Sequence, residues 1–509
     1  MKGIQELKRL GIFDRLAKFG ADYSYFSTST PSYLPWNRFV LRIFEYALQG
    51  VNPSIVLPYW DWTLDSQAPE DSVVFKLMGG NGAGDKQCVA DGPYRSWELP
   101  FPLRHCLRRQ FNGPYNKILS FWSPESIALL INADITYQEF NSRIEAGPSG
   151  SVEQAIGGEM ATPFNQHDPL WYLHRAYIDK IWVDYQAKFP EKKYEYNGVN
   201  FIGGNNAHVS DRMMPFGVRV DSVMDNKGPG MCYKYSDTPS AHINLDNPDL
   251  ESYGLPDLTG KINDREAYAT LLNGVAPSDR EDQSSLRVPF AVSRRFIDFN
   301  RFNYTEVRRL EVLNSVFVNQ LNSQGYQSIV NLANRQDTWN NCAALGSKYG
   351  TTYGNQNAKP DHTLPTCDTT APFCAFYPLM EQALKERKSI AEIEDASPVL
   401  NVVKNPNIRA KGSLPSSGRG GGISDTKGMV FKDGKWVRQD GTVYTQVRRK
   451  GGAGSAGQWR FVGGRWVKRE SGSNVQITKR VKGSHSGHGR RKVIKVTRVI
   501  RRADDEQYE

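Results

Sequence analysis

The sequence is poor in histidine, in cysteine and in long apolar segments. It has 8 histidines and 6 cysteines in 509 residues, and no two cysteines form a CxxC pair. No run of 18 apolar residues occurs, so the sequence predicts no membrane-spanning helix. The opening "MKGIQELKRLGIFDRLAKFG" has an amphipathic pattern and lacks the apolar core of a signal peptide. We therefore expect no membrane partner for this chain.

The cysteines are even in number and widely spaced. They are Cys88, Cys106, Cys232, Cys342, Cys367 and Cys374. Such a set fits disulfides in a secreted protein, and the alternative is buried free thiols in a cytosolic protein. An Asn-x-Thr sequon at Asn303 and the composition of the C-terminal tail favour secretion. Because secretion requires a leader that is not visible here, we expect the N-terminus to be incomplete.

Charge is distributed unevenly along the chain. Residues 401–509 contain 25 Lys and Arg against 8 Asp and Glu, a net charge of +17, whereas the whole chain has +10 and the first 400 residues therefore have −7. After a flexible linker at 412–424 come two similar segments, "FKDGKWVRQDGT" (431–442) and "FVGGRWVKRESGS" (461–473). Each combines a turn dipeptide with Trp-Val-basic alternation, which predicts a short β-hairpin.

Two strong helices are predicted in the first 240 residues. In "PWNRFVLRIFEYAL" (35–48) the apolar residues recur every three or four positions, and the same is true of "HDPLWYLHRAYIDKIWVDYQAKF" (167–189). Asp168 is placed to cap the second helix, and His167 is interpreted as part of that cap. His174 lies on the apolar stripe and is predicted to be a hydrogen-bonded core residue.

The predicted fold is mainly α, with an ordinary apolar content of 39%. We divide the chain into a helix bundle with long loops (1–240), a mixed helix and loop extension (241–400) and a basic Gly-rich tail, partly disordered, with short β-hairpins (401–509).

Several segments in one order resemble the tyrosinase and hemocyanin family of type-3 copper proteins. They are "SYLPWNRFVLRIFEYAL", "LPYWDWTLD", "GGEMATP" and "HDPLWYLHRAYIDKIW", extended by "GPY" at 92–94 and "MCYKYSD" at 231–237. The resemblance covers residues 10–240. It implies a bundle that holds two copper ions, three histidines to each, and uses O2 for phenol hydroxylation or catechol oxidation.

All six positions that the resemblance assigns to copper ligands hold other residues. Those of the first ion are Gly20, Thr28 and Asn37, and those of the second are Ser149, Glu153 and Arg175. The family's Pro-Trp-His-Arg reads Pro-Trp-Asn-Arg here, and its His-His pair reads His-Arg. The stretch "AGPSGS" (146–151) also predicts a break where a ligand helix should run.

The supply of histidine gives a test that does not depend on the alignment. Residues 1–240 contain His105, His167, His174 and His208 and no other histidine. Because the family site needs six, we predict no copper, no other metal and no catalytic residues of the family type. We expect Glu153 and Arg175 to refill the second site as a salt bridge. The alternative partner of Arg175 is Asp179, one helical turn away.

These observations favour a copper-less pseudo-tyrosinase, secreted and associated with an extracellular matrix. Residues 401–509 would bind acidic polymers or matrix components. One alternative is a copper-dependent tyrosinase or catechol oxidase acting on phenols. A second is binding of nucleic acid by the tail, where Lys and Arg alternate with tryptophan; it is disfavoured because no nucleic-acid motif occurs. The chain as a modulator of an active paralogue also stays open.

Overall fold

The computed structural model describes residues 1–200, 204–238, 240, 243, 285–330 and 371–396. It also describes the backbone of short strands at 351–352, 430–432, 435–437, 459–462 and 465–468. Contacts group residues Met1–Ile408 into one compact unit and Arg409–Glu509 into another. The two units are described separately.

Helices dominate the described part of the first unit. They are α1 (Lys2–Arg9), α2 (Ile12–Asp22), α3 (Ser24–Ser27), α4 (Tyr33–Val51), α5 (Val73–Met78), α6 (Pro124–Asn132), α7 (Tyr137–Ile144), α8 (Gly150–Ile156), α9 (Leu170–Lys188), α10 (Asp221–Met224), α11 (Arg294–Asn300), α12 (Tyr304–Ser323), α13 (Pro372–Glu386) and α14 (Ile390–Ala396). Short 3-10 turns lie at Pro69–Asp71, Pro114–Asn116, Asn165–His167 and Pro190–Lys192. None of the described helices is both long enough and apolar enough to cross a membrane.

The strands are short antiparallel pairs. In the first unit they are β1 (Gly82–Ala83) with β2 (Cys88–Val89), β3 (Glu98–Leu99) with β4 (His105–Cys106), β5 (Arg212–Met213) with β6 (Val218–Arg219), and β7 (Lys234–Tyr235) with β8 (Thr351–Thr352). The mainly α fold class predicted from the sequence is therefore confirmed.

Helices α4 and α9 form the centre of the bundle, and their apolar stripes explain why. The Phe44 and Tyr172 rings stack across the interface with centroids 3.7 Å apart. A buried ion pair joins the same two helices, because Arg38 Nε lies 2.7 Å from Asp179 Oδ1. The Arg38 guanidinium also lies 3.6 Å from the centroid of the Trp182 ring. This pair fixes the positions of α4 and α9 relative to each other.

The predicted break at 146–151 is wrong. The chain stays helical from α7 through α8, because a π-helical turn at Glu145–Ser149 absorbs Pro148, which cannot donate a backbone hydrogen bond. The glycines on either side serve close packing instead. A Cβ on Gly147 would lie 2.7 Å from Leu310 Cδ2, and a Cβ on Gly150 would lie 3.2 Å from Phe296 Cε1. These glycines let α11 and α12 pack directly on the turn.

The core continues beyond residue 240. The rings of Phe373 and Phe376 on α13 lie 6.0 Å and 5.6 Å from the Phe19 ring on α2. Arg15 on α2 pairs with Glu394 on α14 at 3.2 Å. The helical extension therefore shares the core of the N-terminal bundle.

One disulfide joins Cys88 and Cys106, and Cys374 is also disulfide-bonded. Cys232 is free and exposed. The prediction of disulfides is thus confirmed for Cys88, Cys106 and Cys374 and is wrong for Cys232, whereas Cys342 and Cys367 lie outside the described residues.

Both hairpins predicted in the tail are present. Strand β9 (Val430–Lys432) pairs with β10 (Lys435–Val437), and β11 (Trp459–Val462) pairs with β12 (Arg465–Lys468), all antiparallel. The rest of the tail lies outside the described residues.

Candidate functional site: a buried polar cluster

Arg175 and Glu153 form a buried ion pair between α9 and α8. Arg175 Nη2 lies 2.6 Å from Glu153 Oε1, and the two side chains are only 7% and 9% exposed. Asn165 Nδ2 donates to the same carboxylate oxygen at 3.3 Å. The predicted salt bridge is therefore present, and the alternative pairing with Asp179 is not formed because Asp179 bonds to Arg38 instead.

Tyr33, the first residue of α4, completes this cluster. Its hydroxyl accepts a hydrogen bond from Arg175 Nη1 and donates one to Ser149 Oγ at 2.9 Å. Arg175 Nη1 also donates to Ser149 Oγ at 3.0 Å, and the guanidinium lies 4.9 Å from the centroid of the Tyr33 ring. The Tyr33 hydroxyl thus bridges α4 to the two helices that carry Ser149 and Arg175. Sequence reasoning did not identify Tyr33.

His174 belongs to the same network. Its Nε2 lies 3.1 Å from Ser149 Oγ, and the ring is fully buried. Desolvation lowers the pKa of His174 to about 3, so the ring is neutral, and Nε2 and the Ser149 hydroxyl form one hydrogen bond with each other. The prediction of a hydrogen-bonded core histidine is confirmed.

Burial also opposes the charged forms of the ion pair. Desolvation lowers the pKa of Arg175 to about 9, which leaves it protonated at neutral pH. Desolvation and, after it, the nearby Glu145 carboxyl raise the pKa of Glu153 well above its ordinary value. The contact between Arg175 and Glu153, with its additional hydrogen bonds, offsets part of the free energy that is lost when the two charges are removed from water.

Gly20 on α2 lies beside the side chain of Gln166 and not beside the Arg175–Glu153 pair. A Cβ built on Gly20 would lie 2.2 Å from Cδ of Gln166. Gln166 belongs to the short turn Asn165–His167, and its neighbour Asn165 bonds to Glu153. This turn therefore fills space beside Gly20 and also supports the ion pair. Nothing in the sequence pattern had pointed to Gln166.

Asn37 and Thr28 do not join the cluster directly. The Asn37 amide donates to the backbone carbonyl of Tyr33 at 2.7 Å, one turn earlier on α4, and Asn37 is buried. The carbonyl of Thr28 accepts a hydrogen bond from Arg301 Nη2 at 2.9 Å. Of the six predicted positions, the structure brings Ser149, Glu153 and Arg175 into contact.

His167 differs from its prediction. Its ring is buried beside those of Phe101 and Phe164 and nearly parallel to both, and neither ring nitrogen has a hydrogen-bond partner among the described residues. Desolvation lowers the pKa of His167 to about 3. The cap of α9 comes from Asp168 alone, whose Oδ1 accepts from Leu170 N at 2.9 Å. His167 is an aromatic packing residue and not part of the cap.

The side chains gathered here do not fit a pair of copper ions. A guanidinium has no lone pair to offer a metal, and the only imidazole bonded to the cluster among the described residues is that of His174. No group of three or more His, Cys, Asp and Glu in the described part of the chain is arranged to hold a metal ion. The identity of the six positions as former ligand positions stays a prediction from the resemblance.

Comparisons with known proteins identify relatives of part of this chain. The family model "Common central domain of tyrosinase" matches residues 9–188. Tyrosinase ustQ of Aspergillus flavus is 30% identical over an alignment of 250 residues that covers 44% of this chain and 69% of that protein. A tyrosinase of Streptomyces antibioticus is 29% identical over an alignment of 229 residues that covers 40% of this chain and 82% of that protein.

A solved polyphenol oxidase from Thermothelomyces thermophila is similar with a TM-score of 0.37 and 19% identity. The match covers 44% of this chain and 78% of that one.

Proposed function

The chain belongs to the tyrosinase family, and on that premise we propose that it is a copper-less member with a non-catalytic role. The observation that carries the proposal is the ion pair between Arg175 and Glu153. Two positions that the family would use for one copper ion hold side chains that satisfy each other at 2.6 Å. The four histidines in residues 1–240 support the same reading, because the family site needs six.

We further propose that the protein is secreted and works as a structural or matrix-associated component. Its tail would bind acidic polymers, since residues 401–509 have a net charge of +17. The disulfide between Cys88 and Cys106 supports an oxidising environment. Binding of nucleic acid by the tail is the weaker alternative, because no recognised nucleic-acid motif occurs in its sequence.

The alternative is a copper-dependent tyrosinase or catechol oxidase, which family membership by itself supports. The two are separated by measuring copper in the purified full-length chain after incubation with Cu(II) and dialysis, together with oxidation of a catechol. An active tyrosinase handled in parallel is the positive control. We expect less than 0.1 copper per chain, to order of magnitude, and no turnover above buffer. Two coppers per chain with catechol turnover would establish the enzyme instead.

The tail is tested by affinity for a sulfated polysaccharide and for single-stranded DNA of equal charge, measured at several salt concentrations. We expect binding to both to weaken with salt, and the polysaccharide to bind more tightly. Tighter binding to the DNA would favour the nucleic-acid alternative.

A further inference from the structure

A cleft with both polar and apolar lining lies between α7 and α12, beside the loop of residues 29–31. Its volume is about 510 Å³, a size typical of small-molecule sites. Asn303, the asparagine of the Asn-Tyr-Thr sequon, is among the residues that line it. Asn303 is exposed to solvent.

The hydrogen bonds of Asn303 leave its nitrogen available for modification. Its Oδ1 caps α12 by accepting from Thr305 N at 3.0 Å and from Glu306 N at 3.3 Å. N-glycosylation attaches the sugar to the side-chain nitrogen and leaves the carbonyl oxygen in place. A glycan on Asn303 would therefore preserve the cap of α12.

The charged groups around the cleft are balanced. Glu139 pairs with Arg143 along α7, and Glu306 lies 3.8 Å from Arg309 along α12. Each carboxylate thus has a basic neighbour on its own helix. A cleft balanced in this way does not favour an ion of either sign and suits a neutral polar ligand.

A third acidic residue, Glu145, and a third arginine, Arg301, also line the cleft. Glu145 is 5% exposed, and the backbone N–H of Ser29 donates to its Oε1 at 2.8 Å. No other hydrogen bond to this carboxyl is formed by the described residues. Arg301 lies near enough for its charge and that of Glu145 to act on each other. A hydroxyl group both donates and accepts, so it can bond to a carboxyl and a guanidinium together.

We propose that Asn303 is N-glycosylated and that the first sugars of the glycan occupy this cleft. N-acetylglucosamine and mannose are uncharged and rich in hydroxyl groups, which matches a mixed polar and apolar lining in which the Glu139 and Glu306 carboxylates each have an arginine neighbour. Phe302 and Leu310 supply apolar surface for the faces of the sugar rings. The inference rests on the proposed function in one respect, since it requires passage through a secretory pathway.

The test uses the full chain directed by an added leader through the secretory pathway of a eukaryotic host. Peptide mapping before and after peptide-N-glycosidase treatment measures occupancy at Asn303. Thr305→Ser keeps the sequon, whereas Thr305→Ala removes it, and both keep the Asn303 cap. We expect glycan on the wild type and on T305S and none on T305A. Wild type without glycan at Asn303 would overturn the proposal.

Occupancy of the cleft is tested with a blocking variant. Ser142 is an exposed residue of α7 that lines the cleft, and Ser142→Trp should displace the glycan without entering the core. Ser323→Trp, at the exposed C-terminal end of α12, is the matched control. In the folded protein we expect the glycosidase to release the glycan at least tenfold faster from S142W than from S323W or wild type. Equal release rates would refute the placement in the cleft.

The two proposals fail separately. The added leader makes glycosylation independent of where the native protein resides, and copper content on the same preparation reports on the proposed function. A glycan in the cleft of a copper-loaded, active protein would refute the pseudoenzyme and leave this inference standing.

Discussion

Arg175 and Glu153 lie 2.6 Å apart in the interior of the bundle, on helices α9 and α8. Two opposite charges in this position are stable only together, because each supplies the counter-charge that burial removes from the other. Replacing one of the two residues should therefore lower the free energy of unfolding more than replacing both.

The first prediction concerns this pair. Arg175→Met or Glu153→Leu alone should lower the free energy of unfolding by about 3–5 kcal/mol, because each leaves a buried charge without its partner. The double variant should lie within about 1–2 kcal/mol of wild type. Urea denaturation of all four proteins measures the coupling energy. Additive single losses would mean that the two side chains do not interact.

The second prediction concerns Tyr33. Tyr33→Phe removes the hydroxyl that accepts from Arg175 and donates to Ser149, and it should cost about 1–3 kcal/mol. Tyr194→Phe is the control, since Tyr194 is 54% exposed and its loss of a hydroxyl should change stability by less than about 0.5 kcal/mol. Denaturation midpoints of the two variants give the comparison. An equal effect of both variants would show that the Tyr33 hydroxyl contributes nothing to the cluster.

How much of the cluster follows from the sequence differs from residue to residue. The Arg175–Glu153 pair is predictable, because the resemblance assigns both positions to one ion, so they are expected to lie close in space, and here they have opposite charges. Tyr33 and Gln166 are not predictable in the same way. Their contacts depend on the final packing of α4 against α8 and of a non-helical turn against α2, and no periodicity encodes either.

The helices likewise include features that the sequence predicts and one that it does not. The apolar stripes of α4 and α9 predict both helices because burial of one face is a local property of the sequence. Pro148 between two glycines predicts a break by the same local rules, yet the structure accommodates it in a π turn. Leu310 and Phe296 pack against the glycines, and such tertiary contacts override local propensity.

The third prediction concerns Gly20. Glycine to alanine within a helix normally stabilises by about 1 kcal/mol. Gly20→Ala should instead destabilise by about 1–3 kcal/mol, because the new Cβ would lie 2.2 Å from Cδ of Gln166 and would displace a side chain that is buried, at 3% exposure. Gln166→Ala should remove most of this penalty, so that the double variant is more stable than the sum of the single changes implies. Thermal denaturation of the three variants tests it, and a stabilising G20A would disprove the steric conflict.

The fourth prediction concerns pH. Desolvation raises the pKa of Glu145 to about 8, so the folded protein keeps a proton that the unfolded chain loses at ordinary acid pH. The contribution to stability is present at acid pH and is lost as the pH rises toward 8. Glu145→Gln does not titrate. Its stability relative to wild type should therefore increase with pH, by at most about 1.4 kcal/mol per unit.

The measurement is urea denaturation of wild type and E145Q across the neutral range. Arg301 and Glu153 are the charged groups that act on Glu145, and both are retained in the variant. The buried histidines His167 and His174 favour the unfolded state at acid pH, but they do so equally in both proteins and cancel in the difference. A difference that does not vary with pH would mean that Glu145 titrates normally.

The last prediction concerns the two hairpins of the tail. Their register places Trp436 directly opposite Phe431 and Trp466 directly opposite Phe461, so each hairpin has an aromatic pair at the same position of its sheet. Cross-strand aromatic pairs stabilise a two-stranded sheet, which is marginal by itself. We propose that both hairpins contribute to the binding of an acidic polymer by the tail.

Trp436→Ala should therefore weaken binding of the full chain to a sulfated polysaccharide by about two- to tenfold, and Trp466→Ala should do the same. The double variant should lose more than either, because two linked sites bind one polymer with higher avidity than one site. Trp459→Ala is the matched control, since the register places Trp459 opposite Lys468 and not opposite an aromatic residue. If the double variant binds like wild type while binding still falls with salt, the charge of the tail suffices and the hairpins play no part.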